Sequence, residues 1–109
     1  MMDIGIRNIG EAFFKPISAY GSSTSSPLSV VLDTGEYGGR INVEVWVKSS
    51  GPADFNVYGS KDGVNYRKTD TISLTAAGEE HRGYGNAYRY IKVETTAANN
   101  NEIEIVASR

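Results

Sequence analysis

The chain reads as an all-β domain, a single antiparallel β-sandwich with an N-terminal arm. Three observations predict this. From Leu28 onward apolar residues recur at every second position, the period of a strand that buries one face. Clusters of glycine, serine and asparagine cut that alternation into short runs at the spacing of roughly 8 to 12 residues expected of sandwiches. Helical periodicity never extends beyond about two turns.

Residues 1–27 form the arm and its hinge. They hold Ile4, Ile6, Ile9, Phe13, Phe14, Ile17 and Tyr20, and then run into GSSTSSP, Gly21 to Pro27. So polar a stretch predicts a flexible connection, which makes the apolar arm separable from a sandwich spanning 28–109. Leu28, Val30 and Leu32 open the first predicted strand of that domain. Ile41, Val43, Val45 and Val47 form the second, after glycines at 35, 38 and 39. Ser49 to Asp54 is expected to close a hairpin, with Val47 and Val57 on one core face and Trp46 opposite. Phe55 to Tyr66 (FNVYGSKDGVNY) runs from a strand through a tight corner into a returning strand, because Asp62-Gly63 supplies the positive φ that a short hairpin needs. Tyr66 to Leu74 is less regular. Lys68 and Asp70 fall on the face that Ile72 and Leu74 would bury, which predicts an edge strand or a bulge. A short strand around Glu80 to Tyr84 follows, then Tyr88 to Thr96, and finally Glu102 to Ser108 beyond the Asn99 to Asn101 turn.

The bounds are plain. At 109 residues the chain makes one domain with a real core. Hydrophobic residues are 39%, charged residues 22%, and the net charge is -2, a balance that points to neither a nucleic acid nor a membrane as partner. The absence of cysteine excludes disulfides, thiolate zinc sites and a cysteine nucleophile. No apolar run approaches membrane-spanning length, and no glycosylation sequon occurs. Asp3 and Gly5 stand where a signal peptide would carry a basic start and a continuous apolar run, so the expectation is synthesis in the cytoplasm without export.

The run V-x-G-S-x-D-G-x-N-Y (Val57 to Tyr66), together with Tyr88 to Val93 (YRYIKV) and Glu102 to Ile105 (EIEI), resembles the second half of the discoidin or coagulation-factor C-type domains. That resemblance covers about half of the chain and implies a galactose-binding-like jelly roll, with the matching segments as core strands. The first half lacks the N-terminal segment of that family and the cysteines of its secreted members. The same compact pattern is similar to small structural proteins of tailed viruses that decorate capsids or build tails.

Catalytic chemistry finds no support. His81 is the only histidine, and it has no Gly-x-Ser-x-Gly elbow and no second histidine at metal-ligand spacing. It reads as a solvated strand-end residue. Glu79 and Glu80 point to opposite sides of an extended segment, while Glu102 and Glu104 share an outer face as solubilising charges; neither pair faces the other across a cleft, as glycosidase carboxylates must. No cofactor is expected. Structural calcium has only loose support: Asp33, Glu36, Asp62, Asn65 and Asn99 to Asn101 gather in or near turns, but they match no ligand pattern and Asx residues favour turns for backbone reasons. Gly83 to Asn86 (GYGN) is no phosphate loop, since no helix follows it.

Outward-facing aromatics are the stronger signal. Alternation places Trp46 outside the core, flanked by Glu44 and Lys48, and turns Tyr58 and Tyr90 outward on their own strands. With Phe13 and Phe14 of the arm, these are the interface candidates, because solvent-side rings suit protein interfaces and sugar platforms. The bland alternative is that they cover neighbouring strands or are covered by the arm. No enzyme is expected. The function expected is a non-enzymatic structural or assembly protein of a virion, capsid-decorating or tail-associated. It would be made in the host cytoplasm and contact itself as a homo-oligomer and a capsid or tail protein. The alternative is a carbohydrate-binding sandwich whose partner is a glycan.

Overall fold

Eight strands make up the fold, and six of them carry the alternation that the sequence displays. In a computed structural model, which describes residues 17–35, 39–85 and 87–108, they are β1 (Ile17–Ser23), β2 (Leu28–Asp33), β3 (Asn42–Ser49), β4 (Ala53–Ser60), β5 (Arg67–Leu74), β6 (Gly78–Tyr84), β7 (Tyr90–Thr95) and β8 (Asn101–Ser108). All pairings are antiparallel, and they nest: β1 with β8, β2 with β7, β3 with β6, β4 with β5. This is a long hairpin rolled up on itself. Two further pairings, β3 with β8 and β4 with β7, complete four-stranded sheets of order β1-β8-β3-β6 (sheet A) and β2-β7-β4-β5 (sheet B), the jelly-roll arrangement.

The core lies between the sheets. Sheet A contributes Val43, Val45, Val47, Ile103, Ile105 and Ala107; sheet B contributes Val30, Leu32, Phe55, Val57, Ile72, Ile91 and Val93. Burial of each large aliphatic or Phe side chain stabilises the fold by about 1.5–3 kcal/mol, so the inward half of every alternating strand specifies the register.

Three expectations change. The sandwich begins before Leu28: β1 is an edge strand of sheet A, paired with β8 from Ile17↔Ala107 to Ser23↔Asn101. Pairing with β8 offsets the polarity of its side chains, which local composition cannot show. Nor is the serine-rich stretch a free hinge where it is described. The Ser26 amide donates to the Asn99 carbonyl (3.2 Å) and the Ser25 amide to Asn100 Oδ1 (3.0 Å). Buried Asn101 donates from Nδ2 to Ser23 Oγ, Ser26 O and Ala97 O at 3.2, 3.0 and 2.9 Å, and its Oδ1 accepts from Ser49 Oγ at 2.8 Å. One amide thus ties together the β1–β2, β3–β4 and β7–β8 connections.

Ser49 to Asp54 does not close a hairpin. It arches between layers, because β3 finds its partners in β6 and β8 and β4 finds its own in β5 and β7. Val47 and Val57 do both face the core, from opposite sheets. At β5 the expected irregularity is a bulge: Val57 pairs with Asp70 and Tyr58 with Lys68, leaving Thr69 as the extra residue. The bulge sends Lys68 outward and Asp70 to the open rim between β5 and β6. There Asp70 Oδ2 accepts from the Tyr84 hydroxyl (2.7 Å) and from Arg82 (3.0 Å).

Candidate interaction surfaces

The outer face of sheet A is built in cross-strand rungs. Because Tyr20 and Trp46 both sit opposite Glu104, and His81 opposite Trp46, one rung reads Tyr20, Glu104, Trp46, His81. The next reads Ser22, Glu102, Lys48, Glu79. Tyr20 and Trp46 are 61% and 41% exposed, large fractions for rings of that size. Trp46 and His81 stack with centroids 4.3 Å apart and planes 16° from parallel. The Tyr20 hydroxyl donates to Glu102 Oε1 at 3.2 Å. Between these side chains runs a shallow groove of about 150 Å³. Glu44, Glu79, Glu102 and Glu104 share this face with Lys48, so it is anionic around an aromatic centre.

Sheet B presents a different face. Lys92, from the middle of β7, extends between two rings, its Nζ 5.0 Å from the Tyr58 centroid and 4.4 Å from that of Tyr66. Its ammonium also lies 3.9 Å from Glu94 Oε1. Burial raises both phenols above their ordinary pKa; Glu94 adds to this at Tyr58, and Tyr90, Asp62 and Asp33 add to it at Tyr66. Arg89 grips Asp33 through Nε (2.9 Å) and Nη2 (3.2 Å) while lying 4.9 Å from the Tyr90 centroid. This pairing, with the Gly35 amide, holds the Asp33 carboxyl below its usual range and raises the Arg89 guanidinium.

The β4–β5 turn rests on this face. Gly63, at φ 77°, lies on the Tyr90 ring, where an added Cβ would come within 3.1 Å of Cζ. Asp62 accepts the Val64 and Asn65 amides (2.9 and 2.8 Å), the Ser60 hydroxyl (3.0 Å) and Asn65 Nδ2 (2.9 Å), which keeps its carboxyl ionised well below the usual range. Beside the turn opens a polar cleft of about 310 Å³ lined by Gly59, Lys61, Asp62, Asn65, Arg67 and Tyr88.

The fold has counterparts of known structure at low identity. The prophage-derived protein YomS of SPBc2 superposes with a TM-score of 0.57 at 11% identity over 87% of this chain and 96% of its own. The PBSX exported protein XepA gives 0.63 at 10% identity over 84% of this chain, which spans only 37% of that structure. A chitosan-binding module from a chitosanase/glucanase of Paenibacillus sp. IK-5 gives 0.55 at 15% identity over 79% and 74% of the two chains. These likenesses show the fold, a jelly-roll β-sandwich. No protein-family model and no curated protein sequence matches the chain.

Within that sandwich the candidate residues separate. Trp46 faces outward on sheet A, whereas Tyr58 and Tyr90 are half-buried on the outer face of sheet B, so the fold does not bring the three together. Phe13 and Phe14 lie outside the described residues. Tyr20, His81, Tyr66 and Lys92 belong to the two faces and were not singled out as interface residues. Tyr20 was hidden in what read as an arm, and His81 gains its ring partner only through the β3–β6 register. His81 is exposed in the middle of β6, not at a strand end. Of the residues considered for calcium, Asp62 has both carboxylate oxygens occupied by protein donors, and Asn101 is bound into the loop knot. Among the described residues no group of three or more His, Asp or Glu side chains is placed to hold a metal ion.

Proposed function

We propose that this protein is a non-enzymatic structural or assembly component of a virion, capsid-decorating or tail-associated. It acts through protein contacts with copies of itself and with a capsid or tail protein, after synthesis in the host cytoplasm. The observation that carries this reading is Trp46, 41% exposed in the centre of an outer sheet face that it shares with Tyr20, His81 and four glutamates. A ring so placed costs solubility unless a partner covers it, and a buried aromatic anchor commonly contributes about 2 kcal/mol or more to an interface. The match to a prophage-derived protein along nearly its whole length supports the setting.

Light scattering on the wild type and Trp46→Ala tests it, together with co-sedimentation on particles of the cognate phage. A defined oligomer that dissociates, or particle binding that is lost, on substitution is the expected outcome. A concentration-independent monomer that ignores particles would overturn the reading.

A carbohydrate-binding module is the second reading. It is favoured by the groove that sets Trp46 and Tyr20 among carboxylates and by the likeness to a chitosan-binding module. Saturable glycan binding that disappears in Trp46→Ala, with self-association unchanged, would move the assignment there.

A further inference from the structure

Glu104 occupies an unusual position on the sheet A face. It stands directly across from Tyr20 on one side and from Trp46 on the other, with exposed rings on both flanks. Glu102 accepts the Tyr20 hydroxyl, and Lys48 lies cross-strand between Glu102 and Glu79. Glu104 has neither an ion pair nor a hydrogen bond with any described residue, whose ion pairs are Arg82–Asp70, Arg89–Asp33 and Lys92–Glu94. Among the described residues this carboxylate, flanked cross-strand by two exposed rings in a groove lined by further glutamates, has no cationic partner.

We propose that this rung captures an arginine presented by a partner protein, with the guanidinium lying on Trp46 and its fork on Glu104. The proposal rests on the reading that the Trp46 face meets a protein, and it specifies the chemistry of that partner. Charge complementarity argues for a cation, since four glutamates on this face stand against Lys48 and the neighbouring His81. Planarity argues for guanidinium over ammonium. A flat delocalised cation stacks on an indole and still presents parallel N–H donors to a carboxylate, whereas an ammonium is compact and strongly hydrated. The opposite face offers an internal precedent, where Arg89 lies over Tyr90 while its fork holds Asp33. On sheet A the ring and the carboxylate are in place, and no arginine among the described residues is paired with either.

The test uses the full chain and its sole tryptophan as the reporter. A short peptide of arginines separated by glycines is titrated against Trp46 fluorescence, alongside the same peptide with citrulline, one with lysine, and a chitosan oligosaccharide. The arginine peptide is expected to give a saturable change that weakens with added salt, that citrulline abolishes, and that Glu104→Gln weakens about tenfold or more. Far-UV circular dichroism confirms that the variant is folded. Equal binding by Glu104→Gln, or by the citrulline peptide, would overturn the proposal. So would saturation by the chitosan oligosaccharide with no response to arginine. If Trp46→Ala abolishes assembly while Glu104→Gln binds the peptide normally, the arginine site is wrong and the assembly role stands. If the peptide behaves as expected while Trp46→Ala leaves mass and particle binding unchanged, the arginine site stands and the assembly role falls.

Discussion

The two outer faces use the same residue types to opposite ends. On sheet B the rings are supplied with cations from the chain itself: Lys92 serves Tyr58 and Tyr66, and Arg89 serves Tyr90 while pairing with Asp33. On sheet A the rings lie among carboxylates, and the lysine of that face stands across from two of the glutamates instead. The difference teaches that exposure of an aromatic is a weak guide to function by itself. What separates the two surfaces is whether described residues supply the electrostatic partners of the rings.

Four measurements would break or sharpen that contrast. The largest effect is expected from Asn101→Ala, which removes the buried amide tying together connections of both sheets. It should cost roughly 3 kcal/mol in urea denaturation and loosen the two faces equally, since the Ser49 hydroxyl loses a buried acceptor and several half-buried acceptors lose their shared donor. A loss confined to one face by amide exchange would mean that the faces are not held as a unit. Next is Lys92→Met, which strips Tyr58 and Tyr66 of their shared cation and should cost about 1 kcal/mol, because the ammonium is partly screened from water by two rings.

A pH series on Asp70→Asn should show a smaller change. Hydrogen bonds from Tyr84, and then from the Thr71 amide and Arg82, depress the Asp70 pKa, so its stabilisation is present above the ordinary carboxylate value of about 4 and is lost as pH falls through the native value. The stability gap between wild type and variant should therefore shrink below about pH 4. Tyr84 has the opposite sign. Burial and Asp70 raise its pKa, so its contribution is present below the ordinary tyrosine value of about 10 and fades as pH climbs beyond it. A gap independent of pH would show that this rim does not hold the sheets together.

The smallest effect belongs to Glu104→Gln. Removing one negative charge from a like-charged face should change stability by less than about 0.5 kcal/mol, and in the stabilising direction, because native binding sites carry charges that the fold itself does not use. A loss as large as that of Lys92→Met would mean that Glu104 has an internal role and that the two faces are alike.

Much of this architecture was legible. Strict alternation placed Val43, Val45 and Val47 inside and Trp46 outside, and Lys68 and Asp70 betrayed the bulge. What stayed hidden depended on partners far apart in sequence. Nothing local in Gly21 to Pro27 shows that it meets Asn99 to Asn101, so the end of an edge strand and the ordered turn after it read as a hinge. Val47 and Val57 alternate alike whether the chain turns within a sheet or arches between sheets, and so the layer change was invisible. The candidate site had the same fate: Trp46 could be named from its own strand, but the rung Tyr20, Glu104, Trp46, His81 joins four strands whose order only the rolled hairpin decides.

That rolled hairpin also governs how the domain answers a mechanical load. Ile17 pairs with Ala107 and Ser18 with Val106, so the first and last strands meet at one corner, side by side and antiparallel. Tension applied across those two ends would peel β1 from β8 one hydrogen bond at a time, an unzipping geometry that yields at low force, whereas a shear geometry would stretch every bond of the ladder together. A domain loaded through these two strands therefore transmits force poorly along its chain.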